Sequence, residues 1–208
     1  MAADESLDGA YALETPEDSV ALYRGWAETY DNSFATAHGY VAPREVALAF
    51  LAEAGPRAEP VLDIGAGTGL VAEALGDLVV DGIDISQEML DAAGAKGLYR
   101  ARICADLTAP LEIADAAYGG FVSAGTFTHG HVGPVCLPEL MRIARPGAVF
   151  VMAINAGVFD GAGFGSAFAG LVADQAITPV GFKRFQYYEG AAHDHADDQG
   201  LMAIFRRV

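Results

Sequence analysis

The hydrophobic pattern changes character near residue 60. Before it, apolar positions recur at helical spacing: Tyr23, Trp26 and Tyr30 stand three and four apart, so 19–35 is predicted as one helix with its three rings on one face. Pro43 opens a second predicted helix, 44–54, which stops at Gly55-Pro56. Beyond it, short apolar runs alternate with amphipathic stretches. Strands are predicted at 60–64, 79–84, 98–105, 121–124 and 148–154. Between them lie predicted helices at 70–75, at 87–95 with Ser86 as N-cap, and at 137–144, the last ended by Arg145-Pro146-Gly147. This alternation implies an α/β fold: a mostly parallel sheet with helices on both faces, and ligands bound beyond the carboxyl ends of its strands. The alternation then breaks. A glycine-rich span, 157–165, leads to a helix at 166–176, and strands at 181–188 and 201–208 are expected to pair as an antiparallel hairpin at one sheet edge, giving seven strands. No internal repeat is evident.

Composition narrows the class. With 208 residues, 52% of them apolar and 19% charged, the chain fits one ordered domain over 19–208, preceded by an arm, 1–18, that holds six acids and no Lys or Arg and is expected to be loosely held. The net charge of -16, with two Lys beside ten Arg, repels nucleic acid phosphates and anionic membrane surfaces. No apolar run reaches the ~20 residues of a spanning helix. The N-terminus begins with acids where a secretory signal would be basic, and Cys104 and Cys136 form no CxxC or disulfide framework. A cytoplasmic protein with no nucleic acid or membrane partner is expected. None of these features fixes an oligomeric state.

Candidate chemistry centres on VLDIGAGTG, Val61 to Gly69, an apolar strand running into a glycine-spaced turn. A dinucleotide fingerprint needs G-x-G-x-x-G so that a pyrophosphate can rest on the helix N-terminus. Here the glycines are Gly65, Gly67 and Gly69 and position 70 is Leu, so that pattern fails. A nicotinamide-dependent oxidoreductase is further opposed by the lack of a Tyr-x-x-x-Lys pair, since Ala92 and Pro179 stand four before the two lysines, Lys96 and Lys183. Asp84 closes the next apolar run and places a carboxylate at the end of the second strand, where a ribose diol would lie.

Four motifs now stand in order: VLDIGAGTGLVAEAL, DGIDISQEMLDAA, CADLTAPL and LMRIARPGAVFVMAIN. Together they resemble the class I S-adenosylmethionine-dependent methyltransferases, with a Rossmann-like fold, over about residues 20–208. YRGWAETYD and GTFTHGHVGP are similar, more narrowly, to the methyltransferase-like proteins of the Williams-Beuren region and their bacterial relatives.

The resemblance implies S-adenosyl-L-methionine as cofactor, with S-adenosyl-L-homocysteine as product, and assigns roles to residues. Gly65, Ala66 and Gly67 let the nucleoside and methionine tail pass close to the backbone. Asp63 helps hold the methionine end, and Ala124 and Gly125 lend backbone groups to its amine. Asp84 accepts the ribose hydroxyls, Ile85 and Met89 cover the adenine, and Asp106 with Leu107 takes its amino group. The N-terminal helices, 19–56, become a lid whose Tyr23 and Tyr30 face the sulfonium, while Trp26 fits lid and core equally.

The acceptor is constrained by an absence. Ser123-Ala124-Gly125-Thr126 stands where nucleic acid and protein amide N-methylating enzymes carry Asn or Asp followed by Pro-Pro. That and the acidic charge imply a small-molecule acceptor. His129 and His131 are candidate general bases, although a loop histidine is more often structural. The alternative function is a protein that binds S-adenosylmethionine or S-adenosylhomocysteine without turnover. His193, Asp194, His195, Asp197 and Asp198 have metal-like composition, yet suggest no distant third ligand, and no metal is expected.

Overall fold

The structure, a computed structural model, describes residue 9 and residues 15–27, 29–190 and 195–208. Among them seven strands form one sheet in the order β3-β2-β1-β4-β5-β7-β6. The strands are β1 Val61–Ile64, β2 Val80–Asp84, β3 Arg102–Cys104, β4 Tyr118–Phe127, β5 Ala144–Asn155, β6 Gly181–Gln186 and β7 Gln199–Arg206. The first five run parallel, and β7 inserts antiparallel between β5 and β6. The expected C-terminal hairpin is therefore present, with its second strand facing inward.

Strands buried on both faces read as unbroken apolar runs, and their period of two sorts residues between two cores. Val61, Val80, Val122, Val149 and Val151 face one side, against Leu22 and Trp26 of α1 (Pro16–Trp26), Val46 and Phe50 of α2 (Ala42–Glu53), and Val71 and Leu75 of α3 (Leu70–Leu75). Leu62, Ile64, Ile83, Phe121 and Phe150 face the other, with Leu137 and Leu140 of α5 (Leu137–Ile143) and Phe164 and Phe168 of α7 (Phe164–Ala173). In register across β4, β5 and β7, the rings of Phe121, Phe150 and Phe205 stack at 4.2 and 4.7 Å. Between β2 and β3 runs α4, Gln87–Ala95, with Ser86 as N-cap as expected: its hydroxyl accepts from Met89 N–H.

Four boundaries differ from the sequence reading, each for a tertiary reason. The helix expected at 19–35 is two pieces. Thr15 and Asp18 form a capping box that starts α1 at Pro16, and after Trp26 the chain re-forms as a π-helical segment, Asp31–Thr36, from which Asp31 reaches the glycine loop. The third strand shrinks to three residues because Tyr99 and Arg100 turn to buried acids, Asp63 and Asp81. The fourth extends back to Tyr118, since at Gly119 and Gly120 an added Cβ would lie 2.0 and 2.8 Å from the carbonyl oxygens of Arg57 and Ala58; this glycine pair marks close backbone approach and not a turn. Finally, Arg145-Pro146-Gly147 belongs to β5, where a register shift against β4 absorbs it. The glycine-rich span contains one short helix, α6 Ala156–Phe159.

Of the acidic arm, residues 1–8 and 10–14 lie outside the described residues, as do His193 and Asp194 of the metal-like cluster. In what remains of that cluster, His195 Nδ1 lies 3.4 Å from Asp198. No described helix is long and apolar enough to cross a membrane.

Candidate functional site

Beyond the carboxyl ends of β1, β2, β3 and β4 lies a cavity of about 410 Å³. Its floor is the loop after β1, where Gly65, Gly67 and Gly69 take positive φ of 65°, 51° and 92°. At Gly65 the missing Cβ is a packing requirement: it would lie 1.9 Å from Thr126 Oγ1 on β4. Around Gly67 the same construction meets open space, which leaves the backbone approachable.

The strand-end acids stand in the cavity wall. Asp84 accepts the Gly67 N–H through Oδ2 at 2.8 Å and the Ser86 N–H through Oδ1 at 2.9 Å, so its carboxylate is fixed by both neighbouring turns. Burial raises its pKa above the ordinary carboxylate value, and these backbone bonds oppose the rise. Asp106 accepts the Thr108 N–H and hydroxyl on Oδ1, at 2.8 and 2.7 Å, which leaves Oδ2 for a ligand. Ala66, Ile85, Met89 and Leu107 line the same end, and Ala124 and Gly125 line the β4 side.

Tyr23 and Tyr30 close the cavity from the N-terminal segment, but Trp26 does not line it. The indole is 2% exposed, packs edge-on against Tyr30 and Phe34 at 5.2 Å, and donates to Ser33 Oγ. Of the two readings of Trp26, its position is that of core. Asp63 also lies outside the wall, beneath the loop, where its Oδ2 accepts the Tyr99 hydroxyl at 2.7 Å. His129 lines neither this cavity nor the second one described below; its ring lies beside Gly157.

His131 does face the cavity, and its tautomer follows from its partners. Its Nδ1 lies 2.6 Å from the His129 carbonyl oxygen, which can only accept, so Nδ1 carries the hydrogen. In the neutral ring Nε2 then accepts from the Tyr23 hydroxyl at 2.9 Å. Burial lowers the His131 pKa and favours that neutral ring. Burial, with the Asp84 charge, also raises the Tyr23 phenol, so the pair holds as hydroxyl and imidazole. On to His131 abuts a second cavity, of about 320 Å³, walled by the 130–133 loop and by residues from Gly157 to Phe164.

Three side chains that the sequence reading passed over organise the site. Asp31 accepts the Thr68 hydroxyl at 2.5 Å and pairs with Lys96, tying the N-terminal segment to the glycine loop. Tyr40 lines the cavity, with its hydroxyl over Gly125, where a Cβ would come within 2.9 Å of it. Tyr99 supports Asp63 from below. Only Asp31 had a local signal, an acid directly after the aromatic stripe.

Among the described residues lining the cavity, Asp84 and Asp106 are charged and none is Lys or Arg. That wall suits a nucleoside bearing positive charge and no phosphate; a pyrophosphate would find no cation to pair with.

Residues 62–152 match a family model described as a methyltransferase domain. No curated protein matches the chain. Its fold is similar to that of a SAM-dependent methyltransferase from Aquifex aeolicus, at 17% identity over 88% of this chain and 97% of that one, with a TM-score of 0.59. A TehB-like SAM-dependent methyltransferase from Corynebacterium glutamicum gives 20%, 89%, 98% and 0.59 in the same order. The cyclase SpnF gives 15%, 94%, 97% and 0.65. The architecture is thus the Rossmann-like fold that these solved structures share, and the matched residues 62–152 run from β1 into β5 at the centre of the sheet. SpnF is named for a different reaction on the same architecture, so the fold by itself does not fix the chemistry.

Proposed function

We propose that the protein is an S-adenosylmethionine-dependent methyltransferase acting on a small-molecule acceptor. The observation that carries this reading is the cavity wall itself: a glycine turn approachable at Gly67, acids at the ends of β2 and β3, tyrosines above, and no Lys or Arg among the described lining residues. When bound, the donor supplies a methyl group on a sulfonium, primed for in-line displacement. In this reading the chain contributes position and exclusion of water. Asp84 takes the ribose hydroxyls, Asp106 Oδ2 the adenine amino group, and Met89, Ile85 and Leu107 the adenine faces. Ala124 and Gly125 meet the methionine end, while Asp63 acts from beneath the loop. Tyr23, Tyr30 and Tyr40 enclose the cationic centre. His131, with Nδ1 already anchored and Nε2 as the basic nitrogen, is the base for an acceptor that must lose a proton; His129 is not placed for that role.

Finer parts of this reading are the kinship with the Williams-Beuren group, supported by YRGWAETYD and GTFTHGHVGP, the lid role of 19–56, a domain that begins with α1 at Pro16 where the sequence put its boundary at 18/19, and a cytoplasmic setting. Calorimetry tests the donor site. S-adenosylmethionine and S-adenosylhomocysteine should bind, NAD should not, and Asp84→Ala should weaken binding by about 1–3 kcal/mol through lost hydrogen bonds to a charged acceptor. Unchanged affinity in that variant removes Asp84 from the site. Turnover to S-adenosylhomocysteine with a metabolite panel separates an enzyme from a binding protein.

A further inference from the structure

The second cavity differs in chemistry from the first. Its wall is apolar at Val132, Val158, Ala162 and Phe164, it carries no charged side chain among the described residues, and its polar side chains are those of Thr128 and His131. Thr128 Oγ1 is buried and makes no hydrogen bond among the described residues, although buried hydroxyls are nearly always paired. The 130–133 loop, His131 included, forms part of the wall of both cavities, so the two meet along it.

We propose that the second cavity is the acceptor site, and that it takes a compact, uncharged molecule with an apolar body and one hydroxyl group. This rests on the first cavity being the donor site. A hydroxyl is selected because one oxygen donates to His131 Nε2 and, once the buried Thr128 side chain turns toward the cavity, accepts from Thr128 Oγ1–H. An alkylamine would enter as a cation and a carboxylic acid as an anion, and neither would find a counter-charge in that wall. On Nε2 the incoming hydroxyl takes the place of the Tyr23 hydroxyl, one O–H donor for another. Transfer of its proton to Nε2 converts the neutral imidazole to imidazolium and leaves the oxygen as the nucleophile.

The test uses the full chain loaded with S-adenosylhomocysteine and three single-ring probes that differ in their polar group: phenol, benzylamine and benzoate, followed by NMR. Phenol should bind and shift the signals of Val158, Ala162 and Phe164, while benzylamine and benzoate should not. Thr128→Val should weaken phenol by about two- to tenfold, the range for one hydrogen bond. Tyr23→Phe, which removes the competing donor, should tighten it. Ala162→Trp, at an exposed position in the second wall, should abolish phenol binding and leave S-adenosylhomocysteine affinity unchanged. Benzoate binding as well as phenol, phenol binding unaffected by Ala162→Trp, or no probe binding at all would each overturn the proposal. Phenol binding without any S-adenosylhomocysteine affinity would instead defeat the donor reading, and the acceptor role with it, leaving only a pocket that binds a hydroxyl compound.

Discussion

Asp63 is 1% exposed, and burial pushes its carboxyl from an ordinary 3.8 up to about 8; the Tyr99 hydrogen bond opposes the shift and the Asp84 charge adds to it. The folded state therefore keeps a proton that the unfolded chain gives up at lower pH. Stability is fully present below the unfolded pKa and falls as pH rises between about 4 and 8, because the folded state binds more protons there. Asp63→Asn, which cannot ionise, should flatten this slope, so its urea midpoint should gain on the parent as pH is raised; parallel profiles would show that Asp63 is ionised when folded. The sequence made Asp84 legible because it closes an apolar run before a turn, while Asp63 and Asp106 were legible through the resemblance carried by VLDIGAGTG and CADLTAPL. It did not reveal Tyr99, 36 positions from Asp63, inside a stretch whose apolar pattern imitates a strand.

At the scale of elements, the N-terminal segment is held over the cavity by polar clasps as well as by the burial of Leu22, Trp26 and Phe34. Arg24 meets Glu88 at 2.8 Å, Asp31 bridges to Thr68 and Lys96, and Lys96 also meets Glu73 at 2.8 Å. The exposed Arg24–Glu88 pair is worth little on its own. Asp31 matters more, as it joins the π-helical segment to the glycine loop and to α4's end. Asp31→Ala should raise amide hydrogen exchange across 16–36 while the sheet amides keep their protection. Uniform exchange in parent and variant would mean that the aromatic packing of Trp26 and Phe34 holds the segment unaided. Helical spacing located this segment correctly but drew it as one helix, because periodicity does not register a side chain that pulls the backbone into a wider turn.

For the whole molecule, 28 acids against 12 basic residues give a net charge of -16, which repels itself in the compact state. Added sodium chloride should therefore raise the thermal midpoint as the screening length shortens from ~10 Å at 0.1 M toward ~3 Å at 1 M. A midpoint that falls or stays level would show that local ion pairs already offset the repulsion. The sequence by itself determined the α/β alternation, the glycine turn, the strand-end acids and the C-terminal strand pair, because each is written in a local period or in the chemistry of one turn. Tertiary structure alone decided that β7 lies inside β6, that Trp26 packs in the core while Tyr40 faces the cavity, and that His131, not its neighbour His129, meets both cavities. Those outcomes depend on contacts between distant positions, 108 residues apart for Tyr23 and His131, and no local pattern encodes which of several similar side chains will meet.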